Sequence, residues 1–228
     1  MIVGLTMKLF NLSILFTLIF SFYTANSFAE PANLSILKHE ARHYHDSGQY
    51  EQELAAQINR AKKFLLQQVH YYKVHKNNKK LALVLDIDET CLSNYKKIAK
   101  RDFAGTPSQI HKEILEANAP AIKATLSLYK AALANNVDVF FVTGRHQSEL
   151  KATEKNLTDA GYKNWSGLYF RPLNYQFKSI IPFKSSSRAL IEKKGYIILE
   201  TIGDQYSDIK GGHAVKGFKL PNPYYYIP

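Results

Sequence analysis

"LALVLDIDET", residues 81–90, runs five apolar residues directly into three acids within four positions. Like charges this close repel each other, and a buried carboxylate is driven toward its neutral form. The apolar run does not alternate, so it reads as a strand covered on both faces, as in a parallel sheet. The strand expected over residues 81–86 therefore delivers a cluster of negative charge to its own carboxyl end. Something must compensate for that charge.

Working outward, Leu54, Ile58, Ala61, Leu65, Val69 and Tyr72 recur at helical spacing, so a long helix over 49–73 is expected, with Asp46-Ser47 as its start signal. Further strands are expected over 139–143, 168–171 and 196–202. Helical patterns over 147–160 and 185–194 lie between them, closed by Gly161 and Gly195 at positions suited to a left-handed residue. Strands alternating with helices predict an α/β, doubly wound, Rossmann-like parallel sheet with helices on both faces. The stretch 91–118 is too long for a plain strand-to-helix loop and is expected to form a small cap over the site.

The 228 residues suffice for one sizeable core. Lys8, an apolar run over 9–22 and Ser27-Phe28-Ala29 read as a secretory leader cleaved after Ala29. The expected organisation is a signal peptide over 1–29 and one domain over 30–228, with a helical segment at 30–78 and a cap at about 91–118. The apolar run is short against a span of about 20 residues, so no stable membrane anchor is expected after cleavage. Export is expected, with periplasm and full secretion both open. Cys91 is the only cysteine, so the chain forms no internal disulfide, and a small buried side chain is its expected role. The net charge of +11 is spread over scattered pairs such as Lys79-Lys80 and Lys193-Lys194. No nucleic-acid motif accompanies it, so the charge reads as a general attraction for an anionic substrate. The oligomeric state stays open.

In doubly wound folds ligands sit beyond the carboxyl ends of the strands. That rule brings Asp86, Asp88, Asp204 and Asp208 to one crevice. Four carboxylates there are tenable around a cation, and an all-oxygen set selects Mg²⁺ over zinc. Thr143 adds a hydroxyl suited to a phosphoryl oxygen, and Lys184 a fixed cation. Lys178 fits the spacing as well; Lys184 is preferred because it directly precedes the helical pattern. Phosphoryl transfer asks mainly for such positioning and charge neutralisation.

In order, "LDIDETCLSNY", "VFFVTGR", "NLTDAGY", "GYIILETIGDQYSDIKGG" and "FKLPNPYYYIP" resemble the haloacid dehalogenase superfamily, within it the class B-type acid phosphatases that include plant vegetative storage proteins. The resemblance covers about residues 81–228. It implies a Mg²⁺-dependent acid phosphatase acting on small phosphomonoesters, nucleoside monophosphates among them, through an aspartyl-phosphate. Asp86 matches the nucleophile. Asp88 matches the general acid and base, its backbone carbonyl facing the metal. Thr143 and Lys184 match the phosphate-binding and charge-stabilising groups. Asp204 matches a direct metal ligand, and Asp208 a second ligand or water-holding carboxylate. A non-catalytic storage or anion-binding relative is the competing reading; some storage members lack the nucleophile, whereas Asp86 is present here.

Four features stand outside that set. Arg145 fits a phosphate contact or a structural ion pair. His39-Glu40-Ala41-Arg42-His43 matches the zinc-protease pattern H-E-x-x-H, with His45 nearby, but no later segment supplies a third ligand. Tyr95 and Phe103 in the cap either cover a leaving group or close the cap's own core, and the tail "PNPYYYIP" is expected to pack on the core.

Overall fold

The structure is a computed structural model that describes residues 30–76 and 78–228; the leader expected over 1–29 lies outside these residues. The elements in chain order are α1 Leu34–Asp46, α2 Gln49–Val74, β1 Lys80–Leu85, α3 Tyr95–Lys100, α4 Pro107–Leu115, α5 Lys123–Ala134, β2 Val137–His146, a 3₁₀ turn Gln147–Glu149, α6 Leu150–Asp159, β3 Gly167–Arg171, α7 Ile181–Lys193, β4 Tyr196–Gly203, α8 Tyr206–Ile209 and β5 Lys216–Lys219. The five strands form one parallel sheet in the order β3-β2-β1-β4-β5. Residues Leu34–Pro228 make one compact unit.

The lack of alternation in β1 has the cause read from sequence, because both faces are covered. Leu83 and Leu85 join Leu54, Ile58 and Leu65 of α2 and Leu128 and Tyr129 of α5. Ala82 and Val84 join Phe140, Val142, Ile198 and Ile191 of α7. The apolar stripe of α2 is thus the face it buries, and tertiary packing rather than propensity sustains its 26 residues. β1 lies between β2 and β4, so the chain winds outward through β2 and β3, then returns to β1's other flank. The two directions diverge at the carboxyl ends of β1 and β4, where such folds open a crevice.

Several boundaries differ from expectation. The helix expected over 185–194 begins at Ile181, with Pro182 in its first turn, where its missing N–H costs nothing. Lys184 therefore lies inside α7 rather than before it. Asp46-Ser47 does not start α2: Asp46 closes α1, and Gly48 at φ 84° turns the chain with no side-chain cap. The stretch 91–118 carries two helices, α3 and α4. Thr106 caps α4 in a reciprocal box with Gln109, and Pro107 opens it. Gly161 and Gly195 do take the left-handed backbone, at φ 95° and 90°.

Candidate active site

Just past β1, the chain coils tightly about one carbonyl: Ile87 O accepts from the amides of Cys91 (2.8 Å) and Leu92 (2.9 Å). Glu89 adopts φ 50° there, a strained backbone for a side-chain-bearing residue. Its carboxylate holds the loop, accepting from the Asn94 amide (2.6 Å) and the Tyr225 hydroxyl (2.8 Å). Burial, then the charges of Asp88 and Asp204, push the Glu89 carboxyl up to about 8.

Asp86 continues the β1–β4 ladder, its amide donating to Ile202 O at 2.9 Å. Beyond β4, Asp204 and Asp208 face it. Asp86, Asp204 and Asp208 each offer an oxygen within 4.8 Å of the others, and all three are buried. Gly203 permits the approach: a Cβ there would stand 2.1 Å from Asp208 Oδ2. The Lys184 ammonium donates to Asp86 Oδ1 at 2.9 Å and also to Asp208 Oδ1. Lys178, by contrast, is exposed. One turn along α7, buried Arg188 donates to the carbonyls of Asp208 (2.9 Å), Gly212 (2.8 Å) and Lys210, fixing the chain that carries Asp208.

Three carboxylates against one ammonium leave two negative charges, which a divalent cation would neutralise. Burial, only partly offset by Lys184, pushes the Asp86 carboxyl well above its usual range, and Asp208 and Asp204 push it further. Burial would depress the Lys184 ammonium, but Asp208 and Asp86 hold it above the ordinary lysine value. The donor set is entirely oxygen and carries this surplus charge, so it fits a hard divalent ion.

Asp88 lies apart from this trio. Its carboxylate turns to Arg145, which binds both oxygens (Nη2 to Oδ1 2.6 Å, Nε to Oδ2 3.0 Å), and Asn94 donates at 2.8 Å. Burial opposes the Asp88 charge, yet Arg145 and Asn94 outweigh it and hold the carboxyl below its ordinary range. Its side chain is 26% exposed, against 7% for Asp86, so Asp88 stands toward the mouth and Asp86 at the floor. The metal grouping expected from sequence thus contains three of its four carboxylates, and only Asp88's backbone remains free of Arg145. Arg145 is held from behind by Thr153 Oγ1 at 3.0 Å. Thr143 is buried within β2, three residues before its end at His146, and its Oγ1 accepts from the Arg145 amide at 3.1 Å. Its own proton is thereby available for another acceptor.

Sequence reasoning passed over Thr90, Gln205 and Asn222. Thr90 is fully buried, with its hydroxyl 3.2 Å from Asp204 Oδ1 and 3.4 Å from Asp86 Oδ2. The signal for Thr90 was its place in the same acidic motif. The decoy behaves as a helix face: His39, Glu40 and His43 are exposed on α1, and among the described residues the aspartate trio is the one grouping suited to a metal. His45 stacks on Tyr95 at 3.3 Å between centroids, and Tyr95 donates to Asp46 at 2.8 Å. Tyr224 packs against Tyr95, Tyr50 and Phe103. The cap aromatics thus close a shared cluster with α1, α2 and the tail.

Comparison with known proteins gives the family and the fold. The family described as HAD superfamily, subfamily IIIB (acid phosphatase) matches residues 24–228. The stem 28 kDa glycoprotein of Glycine max is 34% identical over 71% of this chain and 66% of its own length. Acid phosphatase 1 of Solanum lycopersicum is 33% identical over 63% and 58%, and vegetative storage protein 1 of Arabidopsis thaliana 31% over 67% and 58%. The chain thus spans 58–66% of the length of these relatives. The class C acid phosphatase from Bacillus anthracis shares the fold, with a TM-score of 0.69 at 22% identity over 85% of this chain and 86% of that one. This chain belongs to the HAD superfamily, subfamily IIIB, the acid phosphatases.

Proposed function

We propose that the protein is a Mg²⁺-dependent phosphomonoesterase that works through an aspartyl-phosphate on Asp86. The observation that carries this reading is the buried trio Asp86, Asp204 and Asp208 around Lys184, with Asp88 two residues from Asp86 and nearer the mouth. Asp86 attacks the phosphorus, and the ester oxygen leaves with a proton from Asp88. Asp88 then takes a proton from water, which attacks the aspartyl-phosphate and restores Asp86 with release of phosphate. Splitting the displacement in two lowers each barrier, and acid–base assistance of this kind contributes about 10²–10⁴-fold. Thr143 donates its hydroxyl to a phosphoryl oxygen, and Lys184 offsets the charge on the group in transfer. The metal, held by Asp86, Asp204 and Asp208 with the Asp88 carbonyl, supplies charge neutralisation of the phosphoryl group when bound.

Arg145 keeps Asp88 ionised, so the acid form needed in the first step is favoured as pH falls. That supports an optimum on the mildly acid side. Nucleoside monophosphates are one substrate class within this reading; the aromatics Tyr50, Tyr95 and Tyr224 are buried against one another rather than open to a base. Export rests on the leader read at 1–29; among the described residues no helix is long and apolar enough to cross a membrane.

The test is p-nitrophenyl phosphate hydrolysis by the purified chain with Mg²⁺ and with EDTA, beside Asp86→Asn. Turnover that requires the metal and disappears in Asp86→Asn is expected. A folded chain without turnover under any divalent metal would move the reading to a storage or anion-binding relative. Activity surviving Asp86→Asn would mean a different nucleophile.

A further inference from the structure

β5 runs parallel to β4, so the residues that follow Lys219 emerge at the carboxyl ends of the strands. Leu220 N donates to Gly203 O at 2.8 Å, and the chain then crosses the crevice. It is fastened at Tyr225 Oη to Glu89 and at Ile180 N to Pro228 O (3.1 Å), with Tyr224 buried in the core. On this strap Asn222 Nδ2 donates to Asp204 Oδ2 at 2.6 Å. Gln205 Nε2 donates to the same oxygen at 2.7 Å.

Neither amide is free to flip. Asn222 Oδ1 accepts from Tyr224 N at 2.8 Å, which obliges its NH₂ to face Asp204. Gln205 Oε1 accepts from Ile227 N at 3.1 Å, with the same consequence. Two donors therefore occupy Asp204 Oδ2, while Oδ1 meets only the Thr90 hydroxyl, whose single proton is shared with Asp86. Oδ1 is the oxygen left to face a cation.

We propose that Asn222 and Gln205 are positioning residues that lock Asp204 as a one-oxygen ligand, making the strap over residues 220–228 a working part of the metal site. This rests on the metal-dependent reading above. Groups that orient a metal-bound carboxylate typically change metal affinity by about 10–100-fold when removed.

The test measures Mn²⁺ binding to the full chain by the paramagnetic resonance of the free ion, for wild type, Asn222→Ala, Gln205→Leu and Tyr225→Phe. Asn222→Ala and Gln205→Leu are expected to raise the Mn²⁺ Kd about 10–100-fold. They should raise the Mg²⁺ needed for half-maximal hydrolysis in step, with the rate recovering at saturating metal. Tyr225→Phe loosens the strap but keeps both amides, and its Kd should match wild type. A folded Asn222→Ala with wild-type Kd overturns the inference and leaves the phosphatase reading standing. Equal weakening in all three variants also overturns it, because the strap would then matter only as packing. Wild type that binds no Mn²⁺ overturns inference and reading together. Should circular dichroism show Asn222→Ala unfolded, Gln205→Leu decides.

Discussion

Two buried acids lie four positions apart along β4 and its end, and they meet different fates. Asp204 sits among Thr90, Gln205 and Asn222, each giving its carboxylate a hydrogen bond. Glu200 lies in the apolar layer near Leu65 of α2, and neither of its oxygens makes a hydrogen bond of ordinary geometry. Burial pushes Glu200 up to about 8, with Lys216 pulling the other way. Burial and Asp208 also raise Asp204, but the Asn222 and Gln205 amides pull it back. On the proposed reading, the same chemical group is thus a prepared ligand in one place and a stability cost in the other. What separates them is the set of donors that the neighbouring chain supplies.

The largest effect expected is at the prepared end. Asp204→Asn should lower kcat/KM by at least about a hundredfold at limiting Mg²⁺, since a metal's charge stabilisation is worth several kcal/mol. Near-wild-type activity there would dissolve the contrast. Arg145→Gln comes next. Loss of its grip should misplace Asp88 and lower kcat by about a hundredfold. Arg145 depresses the Asp88 carboxyl, so its removal should carry the high-pH limb of the rate profile, where Asp88 loses its proton, to higher pH.

Glu200→Gln probes the other end. A carboxyl that ionises near 8 when folded, against an ordinary 4.5, retains its proton better in the folded state. Its contribution is intact below about 4.5 and is lost as pH rises toward 8. The variant should match wild type near pH 5 and melt several degrees higher at pH 8. A lower melting point at pH 8 would mean that the Glu200 charge is stabilised by Lys216 after all. The smallest effect is expected at Asp102, an exposed acid that ties Lys38 and Arg42 of α1 to the cap. Asp102→Asn should leave the melting temperature within about 2 °C, because exposed pairs of this kind contribute little.

Much of this was legible because strand ends in a parallel fold are marked by their own chemistry. The run 81–85 announced a strand covered on two faces, and its acids announced the crevice. Asp204 and Asp208 were legible because they follow a second apolar strand. Lys184 was found but misplaced on its element, because Pro182 was not read as a helix opener. Thr106, Pro107 and Gln109 carried a start signal for α4 that could have been read. Asn222 could not: its partner is 18 residues away, and the meeting depends on β5 turning the chain back over the crevice. The division of the acids between Lys184 and Arg145 was equally hidden, since only side-chain geometry separates Asp88 from the trio.

The central position of β1 has a consequence in time. Thr90 meets Asp204 across 114 residues, and Asp86 meets Lys184 across 98. Contacts so distant in sequence form late, after costly loop closure. A growing chain that has made β1, the cap and β2 carries Asp86, Asp88, Thr143 and Arg145 but lacks Lys184, Asp204 and Asp208. On the proposed reading, the chain is silent until β4 docks beside β1, and the first turnover marks the end of folding.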